Sequence, residues 1–296
     1  MPRFGVHDTC LAVPAKPPLA GTARHVSWTS CRGPPMMVLM RESFPVDSPA
    51  PGQSPATSRP VDGSDPGAGW QLAGWTAIVA AALAWLTVAA TAIASGFDLK
   101  TFFEPGEALA MSAASARWFR VGMLADCFSF YLPFLIIGGY LWGRLRPRSG
   151  ALMDMAALSI VVYVLLGVTG ASSQFAALGP MIEAHRSTDA AVRTGVEHVW
   201  LALVYSTQRG LWWFEGPVMA FWAFAIVPQL RRSRFKSWWL LGLVGALYAA
   251  YFAVEAAGAR EVADVLLAAA GAVVPLWLLF FGIEVLRRKA GGDGGA

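Results

Sequence analysis

MAALSIVVYVLLGVTGASSQFAALGPMI, residues 155–182, carries no charged side chain. A helix needs about 20 apolar residues to cross ~30 Å of hydrocarbon, and this run exceeds that. Two further stretches are equally free of charge, Pro66 to Phe97 and Val265 to Ile283. Three more apolar segments are interrupted only by Asp126, Glu215 and Glu255. Together they predict spans at roughly 73–95, 122–142, 155–178, 209–228, 238–257 and 264–286. The expected fold class is all-α: a polytopic membrane helix bundle of six transmembrane helices with a disordered N-terminal tail. The membrane domain is expected to cover 70–290.

Composition agrees. Of 296 residues, 56% are hydrophobic and 14% charged; soluble domains have about 25% charged residues. Basic residues cluster at the ends of apolar runs and not along one helix face, which speaks against nucleic acid as a partner and for a lipid bilayer. Residues 1–69 differ from the rest. Pro45, Pro49, Pro51, Pro55, Pro60 and Pro66 punctuate a Ser-, Gly- and Asp-rich stretch that cannot offset its chain entropy by burial. It reads as a disordered tail, as does 291–296. Residues 1–35 read equally as an over-long gene start, with Met36, Met37 and Met40 as alternatives. Only Cys127 falls within the membrane part, so that part forms no internal disulfide.

The short loops set the orientation. Arg144, Arg146 and Arg148 follow span two; Arg231, Arg232, Arg234 and Lys236 follow span four; Arg287, Arg288 and Lys289 follow span six. With six spans these fall on one side, which the positive-inside rule makes cytoplasmic. The expected location is the plasma membrane, with both termini inside. Trp142, Trp238 and Trp239 fall at inner span ends, and Trp118, Trp212 and Trp213 near outer ends, where indoles favour the headgroups. Residues 104–118 suggest a short interfacial helix, and 189–207 either another or an outward extension of span four. The G-x-x-x-G of Gly139–Gly143 and the small residues Gly167, Gly170, Gly242 and Gly245 mark close helix approach, within the chain or in a helix–helix oligomer.

Ionisable groups inside a membrane are costly, so they are the candidate site. Asp126, Gln174, Glu215 and Glu255, with Arg209 at the head of span four, share the outer third of the membrane in this topology. Gly216–Pro217 is expected to break the helix beside Glu215, freeing carbonyls and making room. The functional reading is an outward-facing hydrated cavity for a cation or protonatable small molecule, with Asp126 and Glu215 facing each other and Arg209 pairing with either. The bland reading is that each group reaches water at the interface or pairs with Arg209. Glu255 fits the bland reading best. Glu183, His185, Asp189, Glu197 and His198 match no metal-ligand spacing and read as a solvated loop. No G-x-S-x-G, H-E-x-x-H or P-loop occurs, and no span holds a histidine, so neither cofactor nor metal is expected.

The stretch Ala116-Arg-Trp-Phe-Arg-Val-Gly-Met-Leu-Ala-Asp126, followed by a span ending Tyr140-Leu-Trp-Gly-Arg144, resembles uncharacterised bacterial multi-span integral membrane protein families. In these an Arg-x-Gly-x-x-x-Asp stretch opens a helix that stops before a basic loop. The likeness covers residues 116–178 and implies architecture alone. Three classes of function stay open: a small-molecule or ion transporter, a non-catalytic membrane factor in signalling or envelope assembly, and a membrane-embedded enzyme. Topology is testable at once. Reporter fusions after Pro147, Arg232 and Lys289 should read cytoplasmic, and fusions after Gly106 or Ser187 external; a cytoplasmic signal at Ser187 would refute six spans.

Overall fold

The computed structural model describes residues 68–290. The expectations for residues 1–67 and 291–296 lie outside the described residues. Within them every regular element is helical, and six helices are long and apolar enough to cross a membrane. The elements are α1 (Ala68–Ala94), a 3-10 turn (Leu99–Phe103), α2 (Pro105–Leu109) and α3 (Ala113–Asp126), which runs through a π turn (Cys127–Tyr131) into α4 (Leu132–Ser149). Then come α5 (Ala151–His185), α6 (Ala190–Ser206), a second π turn (Thr207–Leu211) leading into α7 (Trp212–Arg232), α8 (Trp238–Ala256) and α9 (Arg260–Ala290). This is a multi-pass membrane protein.

The spans form a ring in chain order. Each packs on the next, and α1 closes the ring against α9. One buried cluster draws side chains from all six spans. Between helices in lipid the hydrophobic effect gives no drive, so contact rests on shape. The first span shows this directly. It turns Ala73, Ala77, Ala80 and Ala84 inward and Leu72, Trp75, Val79 and Trp85 outward. At the α1–α9 seam a Cβ on Gly74 would lie 2.7 Å from Leu286, and one on Gly282 would lie 2.7 Å from the Gly74 carbonyl. Between α4 and α5 a single residue, Gly150 at φ 48°, reverses the chain. Asp154 then accepts from Arg146 and from the Trp142 indole, each at 2.8 Å, and pins the two helices.

Two ends differ. The basic segments gather at one: Arg144 and Arg288 both lie near Tyr140, and Arg288 bonds the 233–234 backbone. At the other end a second cluster joins Phe102, Leu109, Phe119, Leu178, Trp200 and Val204. The Trp200 indole donates to the Phe102 carbonyl at 3.1 Å. Residues 189–207 do extend span four: Ala190–Arg232 is one helical run of 43 residues, ~65 Å at 1.5 Å per residue and so longer than a bilayer is thick. The short helix expected within 104–118 is present as α2 but ends at Leu109. Ser112 caps a new helix by accepting from the Ser115 N–H at 3.1 Å, so the chain from Ala113 already belongs to span two.

The G-x-x-x-G reading is corrected by one position, while Gly167, Gly170 and Gly245 stand at close contacts. Gly139 and Gly143 face open space, whereas a Cβ on Gly138 would meet Ile160 at 3.0 Å. Gly167 is the tightest: an added methyl would sit 1.9 Å from the Tyr131 ring. Gly167→Ala should therefore destabilise the detergent-solubilised protein by about 1–3 kcal/mol or more through overpacking. Gly139→Ala should change its thermal unfolding by less than about 0.5 kcal/mol. Equal effects of the two would contradict the packing described.

Candidate functional site

Proline without an N–H shapes the first wall of the site. In an unbroken helix Pro133 would face the Ser129 carbonyl with no donor and a clashing ring. The chain relieves this with the π turn, where the Leu132 N–H reaches back to the Cys127 carbonyl. Such turns insert one residue and re-aim their neighbours. Ser129 donates to the Asp126 carbonyl at 3.3 Å and meets the Thr87 hydroxyl of α1 at 3.3 Å. Asp126 precedes this turn, Tyr131 ends it, and both are buried.

The second π turn builds the facing wall. The Trp212 N–H bonds the Thr207 carbonyl across it. Thr207 donates to the Leu203 carbonyl at 2.9 Å and accepts from Gln174 Nε2 at 2.6 Å. Trp212 and Trp213 turn inward and not to headgroups: their indoles donate to the Gly167 and Phe252 carbonyls at 3.5 and 3.2 Å. Past this turn Glu215 points into the ring. The expected helix break at Gly216–Pro217 does not occur, and α7 is continuous through both residues. The proline φ suits a helix, and the irregularity falls one turn earlier, at the π turn. Gly216 serves close approach instead: a Cβ there would lie 2.8 Å from Phe252 and 3.1 Å from the Tyr248 carbonyl.

Asp126 is 8% exposed and Glu215 4%, so both face the bundle interior. They lie near enough to feel each other's charge, and the Tyr131 phenol stands beside Glu215. Their depths agree: about 27 Å of helix separates Asp126 from Arg144, and about 24 Å separates Glu215 from Arg231. Tyr163 and Tyr248 complete the surround, their hydroxyls 3.5 Å apart. Glu215 Oε1 and the Tyr251 hydroxyl are buried with no hydrogen-bond partner. Among the described residues no cationic side chain pairs with either carboxyl.

Arg209 is engaged elsewhere. It donates to Glu255 at 3.1 Å and pairs with Asp264 at 2.9 Å, bridging span four to α8 and α9. Glu255, read as interfacial, is a largely buried partner in this triad. Tyr251 stands between the triad and Glu215, within electrostatic reach of both. Gln174 belongs to neither group; it is fully buried on Thr207 with Oε1 unpartnered. The expected single polar layer thus resolves into a carboxyl–tyrosine chamber, an ion triad beyond it, and a separate Gln174–Thr207 pair. Where an outward-facing cavity is expected, both carboxyls are buried. At the loop between α5 and α6, His185 and Glu197 are not simply solvated; they bond at 2.7 Å and tie α5 to α6. The residues that sequence reasoning missed are Tyr131, Tyr163, Tyr248 and Tyr251. A hydroxyl at mid-span, at matching distance from the basic ends, was the signal.

Below the chamber the ring is filled by aromatic rings. Phe134 packs on Tyr163, Trp222 and Trp277 with centroids 5.6, 5.6 and 5.8 Å away, and Trp277 stacks on Phe281 at 5.2 Å. The column reaches Phe235 at the basic end. The arrangement can hold and release a proton at either carboxyl. Arg209→Gln should cost roughly 2 kcal/mol by stranding Glu255, and Arg209→Gln with Glu255→Gln should recover part of it. Strictly additive losses in thermal unfolding would show that the triad carries no coupling. No family model, curated protein or solved structure matches the chain.

Proposed function

We propose that this multi-pass protein is a small-molecule or ion transporter of the plasma membrane, with its basic end and both termini cytoplasmic. Its coupling site is Asp126 with Glu215. One observation carries the reading: two carboxyls from different spans are buried together, ringed by tyrosines and without a basic partner. A carboxylate kept in such a place is expensive unless a proton or a cation neutralises it. A structural role is served more cheaply by apolar side chains. The ion triad of Arg209, Glu255 and Asp264 closes the chamber on the outer side, and the aromatic column closes it on the inner side. Transport then needs both to open in turn.

The aromatic column favours one other reading. A ring plugged from Phe134 to Phe281 is also what a non-catalytic membrane factor would have, with the carboxyl pair sensing protons in place of passing them.

Flux separates the two. Reconstituted in vesicles carrying an internal pH dye, the protein should move protons or a small cation down an imposed gradient. Asp126→Asn and Glu215→Gln should each lower that flux by about tenfold or more while leaving insertion intact. Wild-type vesicles no leakier than empty ones under any gradient would reject transport and leave the factor reading. Unchanged flux in both variants would remove the carboxyl pair from the mechanism.

A further inference from the structure

Where α7 ends, α8 begins and α9 makes its last turns, there is a groove of about 620 Å³. Arg234, Lys236, Arg287 and Arg288 line it, against a single carboxylate, Glu284. Apart from Ser237, the rest of its wall is apolar, from Trp239, Leu240, Phe280 and Ile283.

Glu284 and Arg288 are already committed. Glu284 accepts from the N–H groups of Lys236 and Ser237 at 2.7 and 3.0 Å, from the Ser237 hydroxyl at 3.0 Å and from Arg288 at 2.9 Å. Arg288 also donates to the Ser233 carbonyl at 2.8 Å and to the Arg234 carbonyl, and covers the Phe235 ring at 3.9 Å. These two side chains fasten the loop to α9 and form the floor. The other three cations are free. Arg234, Lys236 and Arg287 make no side-chain hydrogen bond or ion pair with any described residue. Arg234 moreover holds φ at 57°, the helix-closing position that favours glycine, with the Phe235 N–H on the Leu230 carbonyl at 2.9 Å.

Three unpaired cations call for an anion, and guanidinium groups suit phosphate oxygens. The wall calls for hydrocarbon: Trp239 and Phe280 are each 55% exposed on the lipid-facing side of α8 and α9. Free phosphate answers the first demand alone, and a second copy of this chain would bring like charges together. We propose that this groove binds one anionic phospholipid. Its phosphate lies among Arg234, Lys236 and Arg287, and one acyl chain lies along Trp239, Leu240, Phe280 and Ile283. Basic pockets between transmembrane helices on the cytoplasmic side are suited to such headgroups. The proposal needs only the membrane fold and is independent of the carboxyl chamber.

Native mass spectrometry of the full-length protein, offered phosphatidylglycerol and phosphatidylcholine of identical chains, tests it. Wild type should retain one phosphatidylglycerol in preference. Arg234→Gly, Lys236→Gln and Arg287→Gln should each lower that preference roughly fivefold, and together abolish it. Arg234→Gly suits the turn, so it reports on the charge even if the triple variant folds poorly. Trp239→Ala with Phe280→Ala should weaken both lipids alike. Excess inorganic phosphate should leave the lipid bound. Equal retention of the two lipids by wild type, an undiminished preference in Arg234→Gly and Lys236→Gln, or displacement by inorganic phosphate would each overturn the proposal.

Discussion

Closure of the ring at the α1–α9 seam is the contact on which everything else rests. Helices in hydrocarbon gain nothing by hiding apolar surface from lipid, so they associate only as well as their shapes fit. Here the fit is backbone against backbone, with Gly74 and Gly282 each leaving no room for a methyl group. Were the first and last spans held apart, the interior would be open to acyl chains along one side. The aromatic column and the carboxyl chamber both presuppose that this side is shut. The outward display of leucine, valine and tryptophan on α1 is the same constraint seen from the lipid.

Inside the closed ring, polarity is rationed by backbone irregularity. Both π turns lie next to the polar positions, one immediately after Asp126 and one just before Glu215. The first follows from Pro133, which has no N–H to give. The second collects a threonine that returns its hydroxyl to the Leu203 and Val204 carbonyls. A regular helix would satisfy its own backbone and leave the side chains on a fixed 100° schedule. Across this turn Arg209 reaches the α8–α9 side and Glu215 the interior, though both are on the same long helix.

Much of this was legible in the residues. Uncharged runs located the spans because no soluble helix needs 28 residues such as 155–182 without a charge. Asp126 and Glu215 were legible because lipid tolerates neither, so each had to face inward. What lay beyond reading depended on angle. The G-x-x-x-G at Gly139 pointed one residue past the true contact at Gly138, and one residue on a helix is a rotation of about 100°. Of the two readings of Arg209, pairing with Asp126 or Glu215 fails and pairing with Glu255 holds, a choice that also turns on helix angle. Gly216–Pro217 looked like a break because proline in a helix usually disturbs it. Here α7 runs on through both residues, with Pro217 inside the helix. The tyrosines were overlooked because a phenol passes for an apolar side chain until its hydroxyl meets another.

The two π turns have a mechanical consequence. A π turn holds one residue more than an α turn, and that surplus can migrate along a helix without breaking it. Passing the surplus of Thr207–Leu211 down one turn re-phases the segment it crosses by about 100° and slides it ~1.5 Å along the axis. In a helix of 43 residues anchored by Trp200 at one end and the basic loop at the other, both ends stay put. The middle alone is re-indexed, as a bead is moved along a taut string. The segment so exposed to re-indexing is the one that carries Arg209 and Glu215.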